Sequence, residues 1–494
     1  MKFNHLALLI LFIAFQTVAQ KGTPEDYLSA QFHKERREAL RKQMPPNTVA
    51  VFFANAQRNR ANDVNYVYHQ DPNFYYLTGY KEPNAVLIIF SENQKNSDGK
   101  IYNELFYVQE KNPQKEQWTG YRLGVEGTKQ QLGFDMVFNG KNFLNSGIDY
   151  TNFDKVYFDD FKDDYRDNKS DQADLYNLVQ TFKTQIGYNI NVAETEVKSL
   201  NNELVTNIKM PKQKATIDTK SLKRFMGTLR QVKTPEELKL LTKAVRISAM
   251  GQREIMKAMH PEMSETEIQG VHEYVYKKYG SEYEGYPSIV GSGNNGCVLH
   301  YEENSKTKVE NELVLMDLGA EYHGYTADVT RTIPANGKFT PEQKAIYDLV
   351  YQAQQAGIAA AIIGNTTKAT DAAARKVINK GLVALGIVKT EDEARTYFPH
   401  GTSHHIGLDV HDLSTHGPFE ANMVITVEPG IYIPEGSDCD KKWWSIAVRI
   451  EDDILITEKG PINLSAEAPR TTEDIEKLMK ESSALDNFKL PKLN

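Results

Sequence analysis

Five side chains stand out by type and setting. Asp317 ends the apolar run Leu313 to Met316, and Asp328 follows in Tyr325-Thr326-Ala327-Asp328. His404 lies in His400-Gly401-Thr402-Ser403-His404-His405. Glu428 closes Ile425-Thr426-Val427, and Glu451 follows Val448-Arg449-Ile450. Any one of these acids alone reads as an edge or cap residue. The set reads differently. Two carboxylates about 4 Å apart repel by about 4 kcal/mol at an effective dielectric of 20, and burial adds a desolvation cost. Four acids that converge persist only when protonated or bound to cations. Oxygen ligands with one imidazole suit hard or borderline divalent ions, manganese more than a thiolate-seeking ion. Four carboxylates and a histidine exceed what one zinc needs. Two metals about 3.5–4 Å apart, bridged by two of the carboxylates, would use them all.

Two other patterns carry less. Gly291-Ser292-Gly293-Asn294-Asn295-Gly296 fits GxGxxG, but that motif needs a helix after it, and Cys297 to Tyr301 reads as a strand. His272-Glu273 begins HExxH, but Tyr276 stands where the second histidine belongs. No GxSxG elbow occurs in the chain.

The elements that must position the five residues begin at Thr234-Pro235-Glu236-Glu237, a capped helix start with proline at the first helical position. Leu238, Leu241, Val245 and Ala249 continue on one face of a long amphipathic helix. Ser264 with Glu267 opens a second helix, and strands follow near Ser288–Val290, Cys297–His300 and Leu313–Leu318. The order then repeats. Thr340-Pro341-Glu342-Gln343 starts a helix, Thr370 opens an alanine-rich one, and strands follow at Val424–Val427 and Ile446–Ile450. Corresponding landmarks lie about 105 residues apart, which reads as a duplicated helix-helix-strand unit with a site where its halves meet.

Ahead of this unit, residues 21–230 alternate apolar runs (Val49–Ala54, Phe74–Leu77, Ala85–Phe90, Leu105–Val108, Val156–Phe158) with helical stretches such as Glu35–Gln43. That reads as a separate α/β domain with a mixed sheet, and the polar segment Asn201–Thr219 reads as a connection. Residues 231–494 form the second domain. A length of 494 residues accommodates both.

Residues 1–20 differ from the rest. Lys2, the apolar run Leu6–Phe15 and the small-residue pattern Thr17-Val18-Ala19 read as a signal peptide, so the mature chain is expected to be exported, periplasmic or released. No later stretch is long and apolar enough to insert in a membrane. A net charge of -8 without a basic run argues against nucleic acid as a partner. The two cysteines, Cys297 and Cys439, do not make a disulfide scaffold, and free thiols are the simpler reading.

The motifs together resemble one family. Ile289-Val290-Gly291-Ser292-Gly293 leading to Asn295-Gly296-Cys297-Val298-Leu299-His300-Tyr301 is its first word. Asp317-Leu318-Gly319-Ala320-Glu321 with Asp328 and Thr330-Arg331-Thr332 is the second. His400-Gly401, Ser403-His404 and Gly407-Leu408-Asp409-Val410-His411-Asp412 follow, then Val427-Glu428-Pro429-Gly430-Ile431-Tyr432 and Arg449-Ile450-Glu451-Asp452. In this order they resemble the pita-bread metallopeptidases of the aminopeptidase P (Xaa-Pro aminopeptidase) family, and Tyr66–Gly79 with Glu82-Pro83 is similar to that family's creatinase-like N-terminal domain. The resemblance implies an α/β chain with a mixed-sheet N-terminal domain and a duplicated ααββ pita-bread catalytic domain. It implies hydrolysis of the first bond of peptides with proline at position 2, by a hydroxide activated between two divalent ions, most readily Mn2+. Asp317 would hold one ion, His404 and Glu428 the other, and Asp328 and Glu451 would bridge. Glu428 would relay the proton, His300 and His411 would contact the scissile group, and His400 and Tyr432 would line the pocket. Arg449 would brace the carboxylates. Trp118, in Gln117-Trp118-Thr119-Gly120, resembles a tryptophan that reaches into a neighbouring subunit's site, which implies a homo-oligomer.

Against the family pattern, the loop Leu413-Ser414-Thr415-His416-Gly417-Pro418 is short and lacks an arginine, which leaves open a prolidase that takes Xaa-Pro dipeptides. A binding protein without catalysis on the same fold is the rival of another class. Such a protein would lack metal ligands, and all five are present.

Overall fold

The computed structural model describes residues 24–162, 165–188, 216–488 and 490. The signal-peptide reading, on residues 1–20, lies outside them, as does most of the polar connection. The first helix, α1 (Ala30–Gln43), is capped by the Ser29 hydroxyl, which accepts from the Phe32 N–H. It covers a six-stranded sheet ordered β6-β5-β4-β1-β7-β8. These strands are β1 (Thr48–Phe53), β4 (Val86–Lys95), β5 (Ile101–Val108), β6 (Val137–Asn139), β7 (Lys155–Tyr157) and β8 (Ile217–Asp218), while β2 (Asn59–Ala61) and β3 (Val64–Asn65) form an exposed hairpin. β1 runs antiparallel to β4 and parallel to β7, so the sheet is mixed.

Two details differ from the reading above. Phe74–Leu77 is not a strand but the middle of α2 (Pro72–Thr78), capped by Asp71, with proline at its start and Gly79 in the left-handed region (φ 68°) at its end. A short apolar run has no period of its own, so the flanking residues decide. Ile217-Asp218, read as connection, adds an edge strand beside β7. The helices α3 (Pro113–Thr119), α4 (Gly124–Leu132), α5 (Leu175–Ile186) and α6 (Ser221–Arg230) complete this part.

The second part begins with α7 (Pro235–Ala258) and α8 (Glu265–Lys278). Thr234 and Glu237 form a reciprocal capping box, and the Ser264 hydroxyl accepts from the Glu267 N–H. α7 buries Leu240, Leu241, Ala244, Val245 and Ile247; each of the leucine, valine and isoleucine side chains contributes about 1.5–3 kcal/mol on burial. The strands β9 (Tyr283–Glu284), β10 (Ile289–Ser292), β11 (Leu313–Asp317), β12 (Ala320–Tyr322), β13 (Tyr325–Thr326) and β14 (Thr330–Pro334) follow. The pattern then recurs with α9 (Pro341–Ala360), whose Thr340–Gln343 box is also closed, and α10 (Thr367–Ala384). β15 (Val424–Val427), β16 (Gly430–Ile433), β17 (Ile446–Arg449), β18 (Asp452–Leu455), β19 (Ile462–Asn463) and α11 (Thr472–Leu478) end the fold. α10 starts three residues before Thr370, whose hydroxyl turns back to the Thr367 carbonyl inside the helix.

The two halves carry the sheets β10-β11-β14 and β15-β18-β19. They meet where the Glu451 N–H donates to the Thr330 carbonyl (3.1 Å) and the Thr332 hydroxyl to the Arg449 carbonyl (3.1 Å). Cys297–His300 is not a strand: Gly293–Cys297 is a 3-10 turn and Val298–His300 runs on irregularly. No α-helix follows the glycine motif, so the argument against a dinucleotide site stands on different geometry. His272 is packed under α7 with its Nε2 against the Ser248 carbonyl. Both cysteines are free thiols, and among the described residues no helix is long and apolar enough to cross a membrane.

Candidate metal centre

The seam between the halves opens into a cavity of about 350 Å³. Asp317, Asp328, His404, Glu428 and Glu451 all line it, although up to 134 residues separate them in the chain. Asp317 arrives at the end of β11 and Asp328 from the loop before β14. Glu428 and Glu451 sit one residue beyond β15 and two beyond β17. One ligand atom from each of Asp328, His404 and Glu451 fits within a mutual distance of 4.8 Å.

The electrostatics match a centre built for cations. Burial raises the Asp328 carboxyl above its usual range, and the charge of Asp317 raises it further. Burial, then the charges of Asp328, Glu428 and Asp317, carry Glu451 well above the carboxylate range. Burial lifts Glu428 to about 7. Burial also acts on Asp317, but the Arg449 guanidinium outweighs it and holds that carboxyl low. Burial works against charge on His404, yet Asp328 and Glu428, each 3.5 Å away, lift its imidazole to about 9. Protons here compensate charge that divalent ions would compensate. His404 is also oriented for ligation: its Nδ1 faces the His405 carbonyl at 3.1 Å, an acceptor only, so Nδ1 keeps its proton and Nε2, turned to the acids, is the nitrogen that would give up its proton to a bound cation. The donor set therefore fits divalent cations.

A second layer braces the acids. Arg449 donates Nη2 to Asp317 Oδ2 at 2.6 Å and Nη1 to the Tyr432 hydroxyl at 2.9 Å. The Thr330 hydroxyl donates to Glu451 Oε2 at 2.6 Å. His400 lines the cavity, with Nδ1 on the Gly401 carbonyl and Nε2 2.8 Å from the Tyr432 hydroxyl. Burial, then the Arg449 charge, brings His400 down to about 4. His300 and His411 line the same cavity, and His411 packs edge-on against His404 with ring centres 4.5 Å apart.

One expected position differs. Tyr432 is not among the lining residues; it lies behind Arg449 and His400 and touches both through its hydroxyl. Trp118 is 86% exposed on α3, a helix that buries none of its residues, and does not line the cavity of its own chain. The short loop after His411 packs beside α6, where the Thr415 N–H and hydroxyl donate to Gln231 and a side chain at Gly227 would press on the Ser414 carbonyl.

Sequence reasoning missed Tyr286. Its buried hydroxyl lies 2.6 Å from Oδ1 of both Asp317 and Asp328. Gly319 makes room for it: a Cβ there would lie 2.5 Å from the Tyr286 ring and 2.1 Å from the Ala327 carbonyl. It also missed Arg331, fully buried, which donates to the Glu451 carbonyl at 2.7 Å and to Asp452 at 2.7 Å. Asp453 was missed too; it accepts from the Asp328 N–H at 3.0 Å. Arg331 stands in the motif Thr330-Arg331-Thr332, on a strand whose five residues are all buried.

Comparison with known proteins gives matching results at each level. The model of metallopeptidase family M24 matches residues 239–458, and that of the aminopeptidase P N-terminal domain matches residues 33–150. The chain is 33% identical to the Xaa-Pro aminopeptidase of Haemophilus influenzae over 90% of its length and 96% of that protein's. It is 30% identical to Xaa-Pro aminopeptidase 3 of Homo sapiens, covering 91% and 84%. The solved structure of aminopeptidase P from E. coli with the inhibitor Pro-Leu superposes with a TM-score of 0.77 at 33% identity, covering 92% of this chain and 98% of that one.

Proposed function

Because the chain belongs to metallopeptidase family M24 and carries an aminopeptidase P N-terminal domain ahead of it, we propose that it is an aminopeptidase that removes the first residue from peptides with proline second. The observation that carries this is the convergence of Asp317, Asp328, His404, Glu428 and Glu451 on one cavity. We read the centre as dinuclear and served best by Mn2+. Asp317 would hold one ion, His404 and Glu428 the other, and Asp328 and Glu451 both; the oxygen-rich donor set supports that reading. Bound divalent ions would supply Lewis acidity toward the scissile carbonyl and lower the pKa of water in the cavity.

The chain's own residues supply the rest. An Xaa-Pro bond has no N–H and a fixed φ, so recognition must act on the carbonyl and the ring. Glu428 faces the cavity beside His404 and is placed to take the proton of attacking water. His300 and His411 are placed to donate to the carbonyl oxygen as charge grows on it. Arg449 holds Asp317 ionised and fixes Tyr432, whose hydroxyl positions His400.

The composition of residues 1–20, a lysine followed by an apolar run and small residues, supports export. Trp118, exposed on its own chain, supports a homo-oligomer in which it reaches a second copy's site. Comparing rates on an Xaa-Pro dipeptide and an Xaa-Pro-Xaa tripeptide tests the substrate class: faster tripeptide turnover is expected, and activity confined to the dipeptide would make the chain a prolidase.

A further inference from the structure

Two buried glutamines grip the segments that carry the carboxylates. Gln252 lies on α7 and Gln354 on α9, and neither has any exposed surface. The Gln252 amide donates to the Met316 carbonyl at 3.0 Å and to the Val329 carbonyl at 2.8 Å. Met316 precedes Asp317, and Val329 follows Asp328. In the other half the Gln354 amide donates to the carbonyls of Val427 at 3.2 Å and Ile450 at 3.1 Å. Val427 precedes Glu428, and Ile450 precedes Glu451. Each amide thus ties two chain segments together where a carboxylate leaves each. All four carboxylates read as metal ligands are flanked in this way, two by each glutamine. The glutamines stand 102 residues apart, one helical turn short of the 106 between the caps Thr234 and Thr340 of their own helices, so they occupy the same face of the two duplicated helices.

A core-facing helix position usually holds an apolar side chain, since an unbonded buried amide costs about 1–3 kcal/mol. Here strand pairing ends. β11 stops at Asp317, β15 at Val427 and β17 at Arg449, so carbonyls near these ends need donors from elsewhere. One planar NH2 group meets two carbonyls at once, and its two N–H directions are fixed. It therefore sets the separation of the two carbonyls, and with it that of the attached carboxylates. The halves differ in detail. The two Gln354 N–H groups face three acceptors, the two carbonyls and Asp452 Oδ2 at 2.8 Å, and are shared among them, while its Oε1 accepts from Arg470 at 3.2 Å; the Gln252 Oε1 has no partner among the described residues.

We propose that Gln252 and Gln354 are positioning residues for the metal centre, Gln252 for Asp317 and Asp328 and Gln354 for Glu428 and Glu451. This rests on the reading of those acids as metal ligands.

The test strips the full chain of cations and titrates it with Mn2+ by calorimetry, alongside melting of the stripped protein. Gln252→Met and Gln354→Met keep length and remove both donors. Each is expected to weaken Mn2+ binding about 10–100-fold, the range typical of residues that orient ligands. At saturating Mn2+, kcat is expected to fall while KM stays within about twofold, since neither glutamine lines the cavity. Ile255→Val, on the same helix, loses packing without touching the carbonyls and is expected to leave Mn2+ affinity unchanged. If a Met variant does not fold, Gln252→Asn or Gln354→Asn decides, because the shortened amide reaches one carbonyl at most. Folded variants with lowered melting temperature but unchanged Mn2+ affinity would overturn the proposal. A wild-type chain that binds no Mn2+ would overturn both the proposal and the ligand reading, whereas normal wild-type binding with unchanged variants would remove the glutamine roles alone.

Discussion

Arg449 reaches Asp317 with a 2.6 Å hydrogen bond between two buried side chains, so a fixed positive charge stands directly behind one expected metal ligand. The contact keeps one acid of the cluster ionised while its neighbours are driven toward their protonated forms. The second guanidinium arm holds Tyr432, and a lysine cannot serve both partners. Arg449→Lys is therefore expected to lower kcat/KM about 10–100-fold in steady-state assays with saturating metal. A loss under twofold would show that the charge alone suffices.

Tyr286 makes a different demand. Its hydroxyl has one proton and faces two carboxylate oxygens, so it can donate to only one of them. Tyr286→Phe keeps the ring that fills the space beside Gly319 and removes the shared contact. It is expected to weaken metal binding about tenfold with little change in melting temperature, measured by metal titration and calorimetry of the stripped chain.

Ligands and substrate-facing histidines are expected to separate cleanly. Asp328→Asn and Glu451→Gln are expected to abolish turnover and to reduce bound metal, read by elemental analysis of the purified protein. His411→Ala is expected to cut turnover by about 10²–10³-fold and to keep its metal. A metal-free His411→Ala protein would reassign His411 to the ligand set.

Outside the cavity lining, an ionic cluster ties residues near the N-terminus to the catalytic part. The buried His323 ring faces Glu282 at 2.5 Å and Asp26 at 3.0 Å and stacks on Tyr27, with Tyr322 and Lys243 also on Asp26. Burial works to raise the Glu282 carboxyl, but the His323 contacts outweigh it and bring it from 4.5 down to about 2. A depressed carboxyl stabilises fully above its unfolded value and loses that contribution as pH falls through its folded value. Glu282→Gln is expected to melt below the wild type at neutral pH, with the gap closing between pH 4.5 and about 2. A gap independent of pH over that range would contradict the assignment.

The residues that converge on the cavity were legible because acids beside strand-like apolar runs are costly, and because the motifs around them are specific. The duplicated architecture was legible in the capped starts at Thr234 and Thr340, both of which form closed boxes. What escaped notice were neutral or locally ordinary residues whose partners lie far along the chain. Tyr286 meets Asp317 and Asp328, and Gln252 meets Met316 and Val329, through contacts that no periodicity announces. Phe74–Leu77 was misread because an apolar run of four fits a strand and a buried helix equally, and Asp71, Pro72 and Gly79 settled it. Cys297–His300 looked extended by composition, but the preceding Gly293, at φ 54°, opens a tight turn instead.

The most direct test of the account is release of free arginine from an Arg-Pro-Pro peptide by the purified chain, followed with added Mn2+, with a chelator, and with Mn2+ restored. The account predicts release with Mn2+, loss on chelation and recovery on restoration. Release that a chelator leaves untouched, or a Mn2+-loaded protein that leaves the Arg-Pro bond intact, would contradict it.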